Sequence, residues 1–158
     1  MSASTLNAPS PTADREIVTT RVFQAPRERV FDAYTDAGNI GRWWGPRGFT
    51  TTTHEMDVRP GGVWRNTMHS PDGTDYPNYV VYSEVVRPER LVWDHGTVQG
   101  EPPQFHATVT FEEVEGGTRV TLRTLFPTAA ARDLVVRDYG AVEGARDTLD
   151  RLAEHLGV

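Results

Sequence analysis

The stretch from Thr128 to Leu156 constrains this chain most. Ala131, Val135, Tyr139, Val142, Leu149, Leu152, Ala153 and Leu156 recur at spacings of three, four and seven. That pattern predicts one long amphipathic helix with a single apolar stripe. Pro127 and Thr128 make its start, with Thr128 as N-cap, and Gly157 its stop. Earlier segments read mostly as strands. A lone amphipathic helix must bury its stripe, and here only a sheet is available to receive it. The expectation is a curved antiparallel sheet around one helix, with room for a cavity between them.

Arg15 to Gln24 reads as the first strand, with Ile17, Thr19, Arg21 and Phe23 on one face. Val30, Phe31 and Tyr34 give a short helix after Pro26, and Asp36 to Arg42 a second one weakened by Gly38 and Gly41. Six strands follow. Thr50 to Val58 places Thr52, His54, Met56 and Val58 together, and Val63 to His69 places Trp64, Asn66 and Met68 together. In Tyr76 to Val86 two apolar sets compete for the inner face, as a bulge would produce. Leu91 to His95, Phe105 to Glu112 and Thr118 to Leu125 complete the set, the last two closed by Gly116-Gly117. The predicted class is α+β with the order β-α-α-β6-α.

Residues 1–13 are rich in Ser, Thr, Pro and Ala, and read as a disordered tail before a single domain over 14–158. No signal-peptide pattern and no membrane-length apolar run is present, so the expected location is cytoplasmic, with no membrane partner. There is no Cys, which excludes disulfides and thiolate metal sites, and all 16 basic residues are Arg, which excludes Schiff-base chemistry on this chain. The formal net charge of −6 argues against nucleic acid. His54, His69, His95, His106 and His155 lack metal-ligand spacing, so neither a metal nor a cofactor is expected.

The motifs Trp43-Trp44-Gly45-Pro46, Arg59-Pro60-Gly61-Gly62 with Trp64, Pro71-Asp72-Gly73, Tyr82 with Glu84-Val85-Val86, Pro88-Glu89-Arg90-Leu91, Gly116-Gly117-Thr118-Arg119 and Leu149-Asp150 with Leu152 run in register from about Arg15 onward. Together they resemble the START-like superfamily, also called helix-grip or Bet v 1-like, and within it the family related to the Hsp90-ATPase-activator homology domain. The resemblance implies the helix-grip fold and an internal cavity. That family's helix usually carries a bulky aromatic after its mid-helix Gly. Here Ala145 follows Gly144, a departure that enlarges the cavity. Eukaryotic co-chaperones of the family carry an additional N-terminal domain, for which no counterpart is expected here.

Trp43 and Trp44 bury large apolar areas. They are either a plug sealing one end of the core or a wall and gate of a pocket, and one Trp can do each job. His54 is either a satisfied core residue or a polar contact in the cavity. Asn66 on an apolar face needs partners for donor and acceptor alike, from a ligand, a water or a neighbouring strand. Arg146 either pairs with Asp150 at i+4 or joins Tyr139 in binding a ligand carboxylate or carbonyl. Gly140 and Gly144 lie on the helix back, where they tolerate a cost or let another segment, or a second subunit in a homodimer, approach closely.

The reading is a small hydrophobic, aromatic ligand with one polar handle, in a cavity lined by Trp43, Trp44, His54, Trp64, Asn66, Met68, Trp93, Phe105, Tyr139, Val142 and Arg146. With tryptophans in the wall, binding should shift their emission. The resemblance leaves two alternatives. One is a cyclase or dehydratase-type enzyme using His54, Glu84 or Tyr139 for proton transfer. The other is an interaction module like the Hsp90 co-chaperones.

Overall fold

Alternating residues send one face of each strand inward, and the strands pair edge to edge around that face. The structure, a computed structural model, describes residues 11–158. Its strands are β1 (Glu16–Phe23), β2 (Thr50–Met56), β3 (Val63–His69), β4 (Asp75–Val86), β5 (Arg90–Gly96), β6 (Phe105–Val114) and β7 (Gly117–Leu125). They form one curved antiparallel sheet in the order β1-β7-β6-β5-β4-β3-β2. The expected helix-grip α+β architecture is the one observed. Of the expected tail, residues 1–10 lie outside the described residues. The Thr12 hydroxyl donates to the Glu16 carboxylate at 2.7 Å, and Ala13–Arg15 form a 3-10 turn.

β1 and β2 are joined by helix α1 (Arg27–Thr35) and a 3-10 turn at Ile40–Arg42, which takes the place of the second short helix. Helix α1 packs on β6 and β7. Its Val30, Phe31, Ala33 and Tyr34 enter the core. There they meet Phe23, Trp43, Trp64, Val80, Tyr82, Leu91, Trp93, Val109 and Phe111. A bulge overturns the single face expected for β2, and a second bulge accounts for the two competing sets of β4. In β2 the register shifts between Thr53 and Glu55. Thr51 and Thr53 point inward before it, and Met56 and Val58 after it, so Thr52 and His54 lie on the outer face. In β4 the shift falls between Tyr82 and Glu84, so Asn78, Val80 and Tyr82 face inward and then Val85.

The expected single C-terminal helix is two helices, α2 (Ala129–Tyr139) and α3 (Ala141–Leu156). Its ends are as expected. The Thr128 hydroxyl accepts from the Ala131 N–H at 3.0 Å, and Gly157 closes α3 in the left-handed region. The break is at Gly140, whose φ of 60° and ψ of 42° are left-handed. A side chain there costs ~1–2 kcal/mol, and Gly costs nothing comparable. Gly144 serves a different purpose. A Cβ on it would stand 3.3 Å from Pro46 Cγ, so the Trp-Trp-Gly-Pro loop lies close against the back of α3. This is the close approach of another segment that the glycine allows.

Arg151 of α3 fixes that loop. Its Nη1 donates to the carbonyls of Trp44 (3.3 Å), Gly45 (2.9 Å) and Pro46 (3.0 Å). Its Nη2 donates to the carbonyl of Arg42 at 3.2 Å. The carbonyls of a loop without regular structure thereby gain a charged donor.

A direct check on the helix break is Gly140→Ala. The nearest atom to a Cβ at this position is Glu143 Oε2 at 3.8 Å, so sterics with neighbours add nothing. The substitution should lower unfolding free energy by ~1–2 kcal/mol in urea titration, and Gly140→Asn by less. A change below ~0.5 kcal/mol for Gly140→Ala would show that the chain does not turn through the left-handed region here.

Candidate functional site

Because α2 turns away from α3 at Gly140, its apolar residues do not reach the core, and none of them is buried. Beneath it lies a cavity of about 690 Å³. The sheet side is formed by Ile17 and Thr19 of β1, Phe105 of β6, and Leu122 and Thr124 of β7. Phe126 and Pro127 close the floor at the start of the helical region. Ala131, Leu134, Val135 and Tyr139 of α2 form the roof, and Ala141 and Ala145 of α3 the back. Tyr76 and Gln104 stand at the rim. Leu134 and Tyr139 are exposed, Tyr139 to 66 %. The volume falls in the ordinary range for small-molecule sites. None of the lining residues carries a formal charge.

Of the residues expected in the wall, Phe105 and Tyr139 border the cavity. Val142 and Arg146 border a separate groove beside it. The others are placed elsewhere, for identifiable reasons. Trp43 is fully buried, donates Nε1–H to the Ala33 carbonyl at 3.3 Å, and packs edge-on against Tyr34 at 4.8 Å. Trp44 contacts Trp43, Trp64 and Trp93 at centroid distances of 5.7, 5.0 and 6.1 Å. The space among Tyr34, Trp44, Trp64, Tyr82 and Trp93 has no room for a water-sized sphere. All four tryptophans therefore fill the closed end of the fold as a solid aromatic cluster, and they plug rather than gate. Met68 packs at the Gly45 turn of the same loop.

His54 is on the outer face because of the β2 bulge, and its Nε2 shares a 2.9 Å hydrogen bond with the Thr67 hydroxyl. Glu84 is exposed and pairs with Arg90 at 3.0 Å. Of the three groups named for proton transfer, His54 and Glu84 do not reach the cavity and Tyr139 borders it. On the same outer face Thr52, His69 and Asp75 form a hydrogen-bonded row at 2.8 Å each, on open sheet surface. Among the described residues no group of three or more His, Asp or Glu is placed to hold a metal ion, and no helix is long and apolar enough to cross a membrane.

Asn66 is buried within a chain of polar groups behind the cavity wall. The Trp93 indole donates to His95 Nδ1 at 3.4 Å. Indole nitrogen only donates, so Nδ1 accepts and His95 carries its proton on Nε2. That Nε2–H donates to Asn78 Oδ1 at 3.0 Å, and Asn78 Nδ2 donates to Asn66 Oδ1 at 3.0 Å. A neighbouring strand thus supplies one partner of Asn66, while its own Nδ2 has none among the described residues. The Phe105 ring stacks on His95 at 4.5 Å and 14°, separating this chain from the cavity. Burial lowers the His95 pKa from 6.5 to about 4.

Several residues of the wall escaped the sequence reading. Ile17, Thr19, Leu122 and Thr124 had a signal, since they alternate correctly on β1 and β7, but nothing local ranks one end of a sheet over the other. Leu134 is absent from the predicted stripe although it projects at the same angle as Leu152, and it lines the roof.

Solved structures with this arrangement come from several bacteria. A Mycobacterium smegmatis protein is 28% identical, with 95% of this chain and 95% of that chain covered and a TM-score of 0.84. A Nitrosomonas europaea protein is 26% identical over 92% of this chain and 96% of that chain, with a TM-score of 0.83. One from Staphylococcus epidermidis is 29% identical over 90% of each chain, with a TM-score of 0.78. No curated protein sequence matches this chain. Residues 24–157 match the family described as Activator of Hsp90 ATPase homolog 1-like protein.

The neutral His95 has a consequence for stability. The unfolded chain binds its proton near pH 6.5 and the folded chain only near pH 4. Between those values the unfolded state holds more protons, so the stabilisation is complete above pH 6.5 and declines as pH falls. From pH 7 to pH 5 the loss from this residue should be about 2 kcal/mol. Urea titrations of the wild type and His95→Gln at both pH values read it directly. A loss in the variant as large as in the wild type would assign the pH dependence to other groups.

Proposed function

The chain belongs to the Activator of Hsp90 ATPase homolog 1-like family, and from that premise we propose that it binds a small hydrophobic, aromatic ligand in the cavity between the sheet and the two C-terminal helices. The observation that carries this reading is the cavity itself, about 690 Å³ with no charged lining residue. A pocket of this size that is open to solvent and lined mostly by hydrocarbon leaves apolar surface in contact with water, a standing cost that an apolar ligand would relieve. The Phe105 and Phe126 rings, 5.4 Å apart, offer flat apolar surface at the floor. Polar atoms are few: Tyr76 and Gln104 at the rim, Tyr139 in the roof, and the hydroxyls of Thr19 and Thr124 in the sheet wall. A sugar-like ligand would leave most of its groups unpaired, at ~1–3 kcal/mol each. One polar handle is what these few groups accommodate.

The titratable side chains in the wall are Tyr76 and Tyr139, both exposed. Binding is therefore favoured over proton-transfer chemistry. The co-chaperone activity named in the family description needs a partner surface, whereas the feature this chain presents most clearly is a concave one.

The test uses N-phenyl-1-naphthylamine, a neutral apolar probe that brightens in dry surroundings. Wild-type protein should bind it, and Ala145→Phe, which fills the back of the cavity, should weaken binding about tenfold or more without lowering melting temperature. Tryptophan emission should change little, since the tryptophans lie outside the wall, contrary to the sequence expectation. No probe binding by wild type, or equal binding by Ala145→Phe, would remove the cavity reading and promote the interaction module.

A further inference from the structure

The cavity adjoins a second space where α3 crosses β1. This groove, of about 460 Å³, is bordered by Val18, Thr19, Arg21, Val142, Arg146 and Asp150 among others. Thr19 borders both spaces. On α3 they are served by successive residues. Ala141 and Ala145 face the cavity, while Val142 and Arg146 face the groove.

The charges of the groove do not balance. Arg21 and Asp150 are ion-paired with each other across the β1–α3 contact, and the Arg21 guanidinium also stands 5.5 Å over the Phe23 ring. The expected Arg146–Asp150 pair does not form, because Asp150 is engaged by the strand. Arg146 makes no ion pair or hydrogen bond among the described residues, and its side chain is exposed in the groove. One positive charge is left uncompensated, in a chain whose formal net charge is −6. It stands beside a cavity with no charged group of its own.

From this juxtaposition, and resting on the cavity reading, we infer that the ligand is an amphipathic monocarboxylate, with its apolar body in the cavity and its carboxylate on Arg146. A planar guanidinium offers paired N–H donors that match the two oxygens of a carboxylate. Thr19 borders both the cavity and the groove, between the two ends. A ligand charge can be met in the groove and nowhere along the cavity wall. A cationic head would meet Arg146 with its own sign, since the Asp150 carboxylate is already neutralised. Polar recognition then costs no buried charge, because Arg146 stays at the solvent boundary.

The experiment displaces bound N-phenyl-1-naphthylamine with decanoate and with decanol, which share a chain and differ in the head. Wild type should bind decanoate about tenfold more tightly than decanol at low salt. That ratio should shrink toward one in 0.5 M salt, where an exposed ion pair is screened. It should also fall toward one in Arg146→Gln, a change at an exposed side chain that makes no bonds in the fold. A wild-type ratio near or below one, a ratio indifferent to salt, or a preference that survives in Arg146→Gln would each overturn the assignment of the carboxylate to Arg146. Binding of the probe and of decanol would in those cases still support the cavity. Absence of probe binding by wild type would overturn both.

Discussion

An unbroken helix from Thr128 to Leu156 would lay its apolar stripe on the sheet along its whole length. Gly140 prevents this. A glycine inside a straight helix costs ~1 kcal/mol against alanine, while in the left-handed region it is favoured over any other residue by a similar or larger amount. Both terms push toward a turn at this residue. The consequence is a division of labour between the two halves. α3 carries Leu149, Leu152, Ala153 and Leu156 into the core, and α2 buries nothing and roofs a void. A helix with no buried residue is held by its ends and neighbours, which places it among the low-stability elements that ligand binding can order.

The opposite end of the molecule is solid, and the hollow end depends on it. Trp43, Trp44, Trp64 and Trp93 interlock with Tyr34 and Tyr82. The loop carrying the first two is tied to α3 twice, through Arg151 on its carbonyls and through the close approach of Pro46 at Gly144. α3 is thereby fixed at the plugged end while its first turns border the cavity. Filling one end and clamping the helix there allows the other end to stay open without the sheet closing on itself. The departure at Ala145 falls at the open end, where a larger residue would restore contact between helix and sheet.

The parts of this arrangement that depend on periodicity could be read from the chain. The strand faces of β1, β3, β5, β6 and β7, the Thr128 cap and the Gly157 stop follow from alternation and capping rules that act within a few residues. The small residue at 145 pointed to the correct side of the cavity. What could not be read depends on events without a local signature. A single extra residue at Thr53–Glu55 inverts the phase of β2 and moves His54 from the inner to the outer face. The aromatic residues were legible as buried but not as packed against one another, because a plug and a pocket wall use the same side chains. Gly140 was conspicuous and its role was not, since a tolerated glycine and a left-handed one look alike in sequence.

The interior polar groups of this protein are mostly spent on one another. Trp93, His95, Asn78 and Asn66 form a one-way chain that fixes the neutral His95 tautomer. Phe105 stands between that chain and the cavity. In the proposed reading a ligand in the cavity would meet hydrocarbon on most sides, with few polar partners: Thr19 and Thr124 in the sheet wall, Tyr139 in the roof, and Tyr76 and Gln104 at the rim. Under those conditions apolar area would set most of the affinity, and the few polar groups orientation. If the cavity takes a ligand as proposed, a single unpaired guanidinium in the adjoining groove would have more influence on selection than any group within the cavity. In the proposed reading, uncharged walls admit many apolar shapes, and the charge of Arg146 in the adjacent groove would distinguish one class of head group from another.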